Sequence, residues 1–176
     1  KVLVIDSNMD SVVDGWSPEV ESAIPAEIKK SDEYKNFQRD LSFVKRQREE
    51  KTLVMREFLD SIESNLREKT EPRFRRLVSD YLAKEYVTVE QRLYAVKTDK
   101  KWQWLGKLYP AVFTRDRQVL FLSMDKLLSR NTTIVEPSYM FYNSDIVKNA
   151  VIFIDEFDAT KDTILKKIID NGLHDK

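Results

Sequence analysis

Lys1-Val2-Leu3-Val4-Ile5-Asp6-Ser7-Asn8 begins with an apolar run after its first lysine and ends in three residues suited to starting a helix. A strand with one wet face would alternate, whereas Val2 to Ile5 is apolar throughout, as in a parallel strand covered on both faces. Asp6, Ser7 and Asn8 supply N-cap chemistry, and Val12, Val13 and Trp16 then fall where a short helix faces a sheet. Gly15 and Pro18 close that helix. The same run of apolar residues returns at Val119-Leu120-Phe121-Leu122 and at Ala150-Val151-Ile152-Phe153-Ile154. A short helix over Lys126-Leu127-Leu128 and an extended Tyr139-Met140-Phe141-Tyr142 lie between them. Thr160 to Ile169 reads as an amphipathic helix stopped by Asn171-Gly172. Strands alternating with helices imply a parallel sheet, so the fold class is α/β.

Between these parts the period changes. Tyr34, Phe37, Leu41 and Val44, then Val54, Phe58, Ile62 and Leu66, recur at spacings of three and four and form a helical stripe. The apolar-free run Lys45 to Thr52 is either a solvated length of helix or a break. Pro72 fits the first turn of the next helix, with Phe74, Leu77, Val78, Tyr81 and Leu82 inward. Thr88 and Gln91 form a possible capping box ahead of Leu93, Tyr94 and Val96. The expected organisation is an α/β layer, residues 1–25 and 108–176, interrupted by a helical insertion of three to five antiparallel helices, residues 26–107.

Composition agrees and excludes several functions. The 176 residues hold only 3 Gly and 5 Pro, against roughly 21 together at average usage, which disfavours turn-rich sandwiches and barrels. Thirty basic residues balance thirty acidic ones, so there is no general basic coat for nucleic acid. The basic excess is local: residues 26–107 carry 20 Lys+Arg against 15 acids, while residues 1–25 carry one against five. The absence of cysteine removes disulfides, thiolate nucleophiles and Cys-based zinc, and His174 is the single histidine. No apolar run approaches the roughly 20 residues a bilayer requires, and a reducing cytosol is the expected compartment. Because Lys1 stands where Met would start a chain and a strand follows at once, the sequence is expected to be a piece of something longer.

The sharpest chemical signal is Val151-Ile152-Phe153-Ile154-Asp155-Glu156-Phe157-Asp158, an apolar strand ending in acids. In nucleotide hydrolases such a strand carries an Asp to the sheet edge to hold Mg²⁺, and the adjacent Glu acts on the attacking water. The structural alternative is that Asp155 caps the helix beginning near Ala159. A second signal is Lys97, Lys100, Lys101, Trp102, Trp104 and Lys107, reinforced by Arg67, Lys69, Arg73, Arg75 and Arg76. Indole rings stack on bases while lysines neutralise phosphates. The spacings Trp102 to Leu105 and Trp104 to Leu108 equally suit rings that anchor the helices to the sheet.

Together these segments resemble a superfamily 2 (DExD/H-box) helicase. Residues 1–8 and the helix towards Trp16 look like motif Ia. Gln118-Val119-Leu120-Phe121-Leu122-Ser123-Met124-Asp125-Lys126-Leu127-Leu128 resembles the later strand and helix that touch the nucleic-acid backbone. Ile154 to Asp158 is similar to motif II. The resemblance implies a partial RecA-like sheet, covering residues 1–18 and 108–172, with 26–107 as an insertion. It implies ATP and Mg²⁺ as cofactors of a longer parent protein, with Asp155 on the metal, Glu156 on the attacking water, and Asp158 linking nucleotide state to nucleic-acid grip. It also implies that Asn8, Ser123 and Lys126 lie near a nucleic-acid backbone; DNA ahead of RNA is the expected partner, with Lys100, Lys101 and Trp102 of the basic, aromatic stretch as further expected contacts.

The chain departs from that family in having no phosphate-binding loop, because Gly15, Gly106 and Gly172 are too far apart to make one. No Ser-Ala-Thr-like segment follows the acids. The fragment itself is therefore expected not to hydrolyse ATP. Two other functions compete: a helical interaction module working through residues 26–107, and a metal-dependent nuclease built on Asp155, Glu156 and Asp158.

Overall fold

The computed structural model describes residues 2–50, 56–148, 150–153, 161–162 and 164–166. Strand β1 (Val2–Ile5) leads into α1 (Asn8–Gly15), α2 (Pro18–Ala23), α3 (Ala26–Lys29) and the long α4 (Asp32–Glu50). Helix α5 (Arg56–Asn65) passes through a π-helical turn (Leu66–Thr70) into α6 (Glu71–Glu85), followed by α7 (Val89–Thr98) and α8 (Trp104–Leu108). After a 3₁₀ stretch (Pro110–Asp116) come β2 (Val119–Leu122), α9 (Met124–Leu128), β3 (Arg130–Asn131), β4 (Tyr139–Met140), a 3₁₀ turn (Phe141–Asn143) and α10 (Asp145–Lys148). The fold is mostly helical with a small parallel sheet, and among the described residues no helix is long and apolar enough to cross a membrane.

Strands β1 and β2 pair parallel, with Val2 opposite Val119 and Ile5 opposite Leu122. Among the described residues the expected cover on both faces is present on one only. Leu3 and Ile5 are buried with Ala111 and Phe141, and Leu120 and Leu122 pack against them. The other face is bare: Val2 and Val4 are 59% and 57% exposed, Val119 and Phe121 45% and 59%. Of the expected third strand, Val151 to Phe153 are exposed and pair with no strand among the described residues, and Ile154 lies outside them. The Tyr139-to-Tyr142 segment is extended only at Tyr139 and Met140, which pair antiparallel with Asn131 and Arg130 before the chain tightens into the 3₁₀ turn.

The helical reading holds on α4 and at the start of α7 but not throughout: Phe58 of the expected stripe is exposed, residues 26–107 hold α3 to α8 rather than three to five helices, and Val54 and half of the expected helix from Thr160 to Ile169 lie outside the described residues. Tyr34, Phe37, Leu41 and Val44 are all buried on α4. Thr88 and Gln91 form the capping box, each side chain bonded to the other's backbone N–H. Tyr94, placed beyond that box, is exposed, and Ala95 beside Val96 is buried in its place. The polar run after Val44 stays helical to Glu50 and is only partly solvated. Lys45 donates to the Trp16 carbonyl at 2.6 Å, just past the end of α1, where a cation also suits the helix dipole. Arg48 bridges Asp10 and Glu63 at 3.2 and 3.1 Å.

The π-helical turn has a cause in the sequence. Ile62, Leu66, Thr70, Phe74, Val78 and Leu82 recur every four residues. At 3.6 residues per turn each such step overshoots by about 40°, so a straight helix would carry the stripe away from the core. A wider π turn takes up an extra residue, leaving Leu66, Phe74, Val78 and Leu82 all fully buried.

The larger of two hydrophobic clusters runs through all three sequence segments, and the sheet residues form the smaller one. Met9, Val12, Val13 and Trp16 of the first, Phe37, Leu41, Leu66, Phe74 and Trp104 of the middle, and Leu108, Val112, Ile134 and Val135 of the last belong to the same buried cluster. Residues 26–107 are thus packed into the rest rather than set apart from it. Gly15 marks a close approach: a Cβ there would lie 2.4 Å from the backbone oxygen of Lys107. Because backbone, not a flexible side chain, blocks that space, Gly15→Ala is expected to cost about 1–3 kcal/mol, as overpacking does. Truncating the fully buried Phe74 to Ala is expected to cost about 3–5 kcal/mol. Urea titrations read by tryptophan fluorescence check both.

Candidate functional site

The in-register pairing of β1 with β2 brings two of the expected contact residues to one sheet edge. Ile5 lies opposite Leu122, so Asp6-Ser7 and Ser123 leave the sheet side by side, and Asn8 and Met124 begin their helices there. Ser7 caps α1 by accepting from the Asp10 N–H at 3.1 Å, and Ser123 caps α9 by accepting from the Lys126 N–H at 3.2 Å. In open parallel sheets this carboxyl edge is where ligands bind. At α1 the chain's own Asp10 already supplies negative charge, bonded by the Ser7 hydroxyl and by Arg48. Asn8 is half-buried and Ser123 exposed.

Lys126 is directed differently from a free backbone contact. It is partly buried and interacts electrostatically with Glu71 and Arg75 of α6. Burial, then the Arg75 charge, push its ammonium below the usual lysine range, with Glu71 pulling the other way. Glu71 is 2% exposed and accepts from Arg75 Nε at 2.9 Å. Burial raises its carboxyl above the ordinary value, countered by Arg75, the neighbouring Tyr109 hydroxyl and Lys126. Tyr109 itself is raised well above 10 by burial and then by the Glu71 charge. Its hydroxyl lies beside that carboxylate without the geometry of a formed hydrogen bond. This cluster ties α9, which follows β2, to the helical middle of the chain.

The Lys100-Lys101-Trp102 turn is only partly available to a ligand. Trp102 is fully buried and donates its Nε1–H to Glu85 at 3.0 Å. It has no open face for a base and is removed from the nucleic-acid set, because both indoles serve as core anchors. Lys101 pairs with the other oxygen of Glu85 and lies over the Trp102 ring. Asp99 fixes the turn, accepting from the Lys101 N–H at 2.9 Å and from Tyr86 at 2.8 Å. Those bonds hold its carboxyl below the usual range. Lys100 is exposed and makes no ion pair among the described residues.

Asp155, Glu156 and Asp158 lie outside the described residues. Among the described residues no group of three His, Cys, Asp or Glu is placed to hold a metal ion. Sequence reading missed Asp40, which belongs to no motif. This carboxylate is 5% exposed and accepts from Arg39 Nε at 3.0 Å, Asn65 Nδ2 at 2.6 Å and Thr70 Oγ1 at 3.2 Å. The only sequence signal for it was a lone acid one position before Leu41 on the buried stripe.

The raised Glu71 carboxyl has a consequence for stability. In the unfolded chain it titrates near 4.5, and in the fold at higher pH. Its contribution is therefore fully present below 4.5 and is lost as pH rises through the folded value. Denaturant titrations of the wild type and Glu71→Gln, taken from pH 4.5 to neutrality, check this. The stability difference between them is expected to move against the wild type as pH rises, and a pH-independent difference would contradict the burial argument.

No protein-family model matches the chain, and no curated protein matches it.

Proposed function

We propose that the chain is part of the first motor lobe of an ATP-dependent, superfamily 2-like helicase or translocase, acting on nucleic acid in the cytoplasm, DNA before RNA. The observation that carries this reading is the β1–β2 pair. Two strands separated by more than a hundred residues lie parallel and in register, each running into a serine-capped helix at the same edge. That is the arrangement the resemblance requires of its motif Ia strand and the strand before motif II. The bare apolar face of the pair supports the same reading, since parallel sheets are otherwise covered on both faces. A partial RecA-like sheet that the rest of a parent protein completes would present such a face.

Within this reading Asn8 and Ser123 stand at the sheet edge that meets the nucleic-acid backbone. Lys126 is drawn towards α6 by Glu71, against the like charge of Arg75. Asp155 would hold Mg²⁺, Glu156 would act on the attacking water and Asp158 would link nucleotide state to grip. The residues present fit only the acidic half of a nucleotide site, because the sequence has no glycine loop followed by Lys and Ser or Thr to cradle phosphates. ATP hydrolysis therefore belongs to the parent protein and not to this fragment.

The competing interaction-module reading needs an apolar helical stripe free to dock a partner. Tyr34, Phe37, Leu41, Val44, Leu66, Phe74, Val78 and Leu82 are instead buried in the chain's own core. Single exposed side chains such as Phe58, Val87 and Tyr94 remain on that segment. Asp155→Ala in the full-length parent tests the motor reading: ATP turnover is expected to fall by at least about a hundredfold, the scale of losing a principal electrostatic group. Unchanged turnover would overturn it.

A further inference from the structure

Glu71, Arg75, Tyr109 and Lys126 form a charge cluster that no motif marks. The Glu71 side chain is 2% exposed and that of Arg75 14%, and Arg75 donates its Nε–H to Glu71 at 2.9 Å. Tyr109 is 3% exposed, and its hydroxyl makes no hydrogen bond. Lys126 is half-buried beside them. The groups come from three places along the chain: Glu71 and Arg75 from the start of α6, Tyr109 from the junction of α8 with the 3₁₀ stretch, and Lys126 from α9. Glu71 is faced by the other three, and Lys126 by Glu71 and Arg75.

The charges in this cluster do not balance, because two cations share one carboxylate. Arg75 sits one turn from Glu71 on the same helix and is bonded to it, whereas Lys126 ends a flexible four-carbon stem on the five-residue α9. Lys126 is therefore the member free to move. Of the groups that face it, only the Glu71 carboxylate favours its ammonium; burial and the Arg75 charge oppose it. When Glu71 takes up a proton that attraction is lost, and two like charges are left in a poorly hydrated place. In acid the ammonium keeps its proton, so the repulsion is relieved by carrying it out to water on its long stem. The proton on Glu71 has a partner in reach, since a neutral carboxyl can donate to the unbonded Tyr109 hydroxyl.

Lys126 is also part of the cap of α9. Its backbone N–H is the one Ser123 accepts from, at 3.2 Å, and the Leu127 N–H bonds to the Ser123 carbonyl at 3.0 Å. We infer that Glu71 is a proton-operated latch on α9: the ionised carboxylate holds Lys126, and with it the Ser123 cap at the sheet edge, against α6, and protonation releases them. The reciprocal effect has the same direction, because Lys126 pulls the Glu71 carboxyl down against the larger upward push of burial, and a cation that favours the ionised carboxyl is held more firmly once it ionises. Burial keeps the proton on Glu71 above the ordinary 4.5, so release begins at a pH higher than that at which ordinary glutamates titrate. The latch does not depend on the ATP-motor reading.

The test is a nuclear magnetic resonance pH titration of the 176-residue chain and of Glu71→Gln and Lys126→Met, following the Glu71 carboxyl carbon and the exchange protection of the amides at positions 126 and 127. In the wild type both amides are expected to lose protection at least about fivefold, the lower end of a coupling between two sites, with the midpoint of the Glu71 titration. Lys126→Met is expected to make the two amides indifferent to that titration and to raise the Glu71 midpoint, because an opposite charge is gone. Glu71→Gln, which imitates the protonated carboxyl, is expected to leave α9 released at every pH. Lys126 is half-buried, so Lys126→Met supplies a folded comparison even where Glu71→Gln does not. Amides that ignore the Glu71 proton in the wild type, or that follow it equally in Lys126→Met, would overturn the proposal, as would a Glu71 midpoint unmoved by Lys126→Met. ATP turnover of the parent is a separate readout, so the motor reading fails or stands independently.

Discussion

Phe37 of α4 lies flat on Phe74 of α6, ring centroids 4.2 Å apart and planes within 6°. Both rings are fully buried, and other aromatics radiate from the pair: Trp16 edge-on to Phe37, and Tyr34 and Trp104 tilted against Phe74. Trp16 follows α1, and Trp104 starts α8, so one stack joins the segment after β1, both long helices and the approach to β2. Aromatic pairs of this kind contribute beyond the area they bury. The π-helical turn exists in this setting because Phe74 must face Phe37 while Leu66 also faces inward. Gly15 is required because α1 and α8 press together beside the same stack.

Around that core the charges are arranged so that buried acids hold cations in place. Asp40 orients Arg39, and Glu71 holds Arg75 while sharing its field with Lys126. Removing one partner of a buried pair leaves an uncompensated charge, a larger loss than the pair itself contributes. These carboxylates therefore fix positions more than they add stability. The first fixes Arg39 beside the π turn, and the second couples α9, at the sheet edge, to α6.

Much of the fold was legible in the sequence because its signals were local. Continuous apolar runs marked β1 and β2, the Asp6-Ser7-Asn8 and Thr88 caps marked the starts of α1 and α7, and spacings of three and four marked the buried side of α4. What the sequence did not reveal depends on where distant segments meet. Trp102 reads equally as a stacking platform or an anchor until Glu85 is seen to accept from its indole. Glu71 reads as one more surface acid in a basic run until α6 turns it inward. The division into a lobe and an insertion followed changes of period along the chain, while the core follows packing and crosses both boundaries. Of the candidate site, Asn8 was readable from the cap run that follows β1, whereas the Asp40 cluster with Asn65 and Thr70 joins helices whose contact no motif encodes.

Helix α1, the long helices and the 3₁₀ stretch before β2 share one core, and because these same segments carry the smaller cluster of the sheet, strands and helices are expected to fold as one unit. Equilibrium unfolding followed at once by tryptophan fluorescence and by the amide resonances of β1 and β2 tests this most directly. Trp16, Trp102 and Trp104 report the helical core, and Val2–Ile5 with Val119–Leu122 report the sheet. Coincident transitions with a single midpoint are the result expected of one cooperative unit. A sheet that melts separately while the tryptophans remain buried, or the reverse, would contradict it.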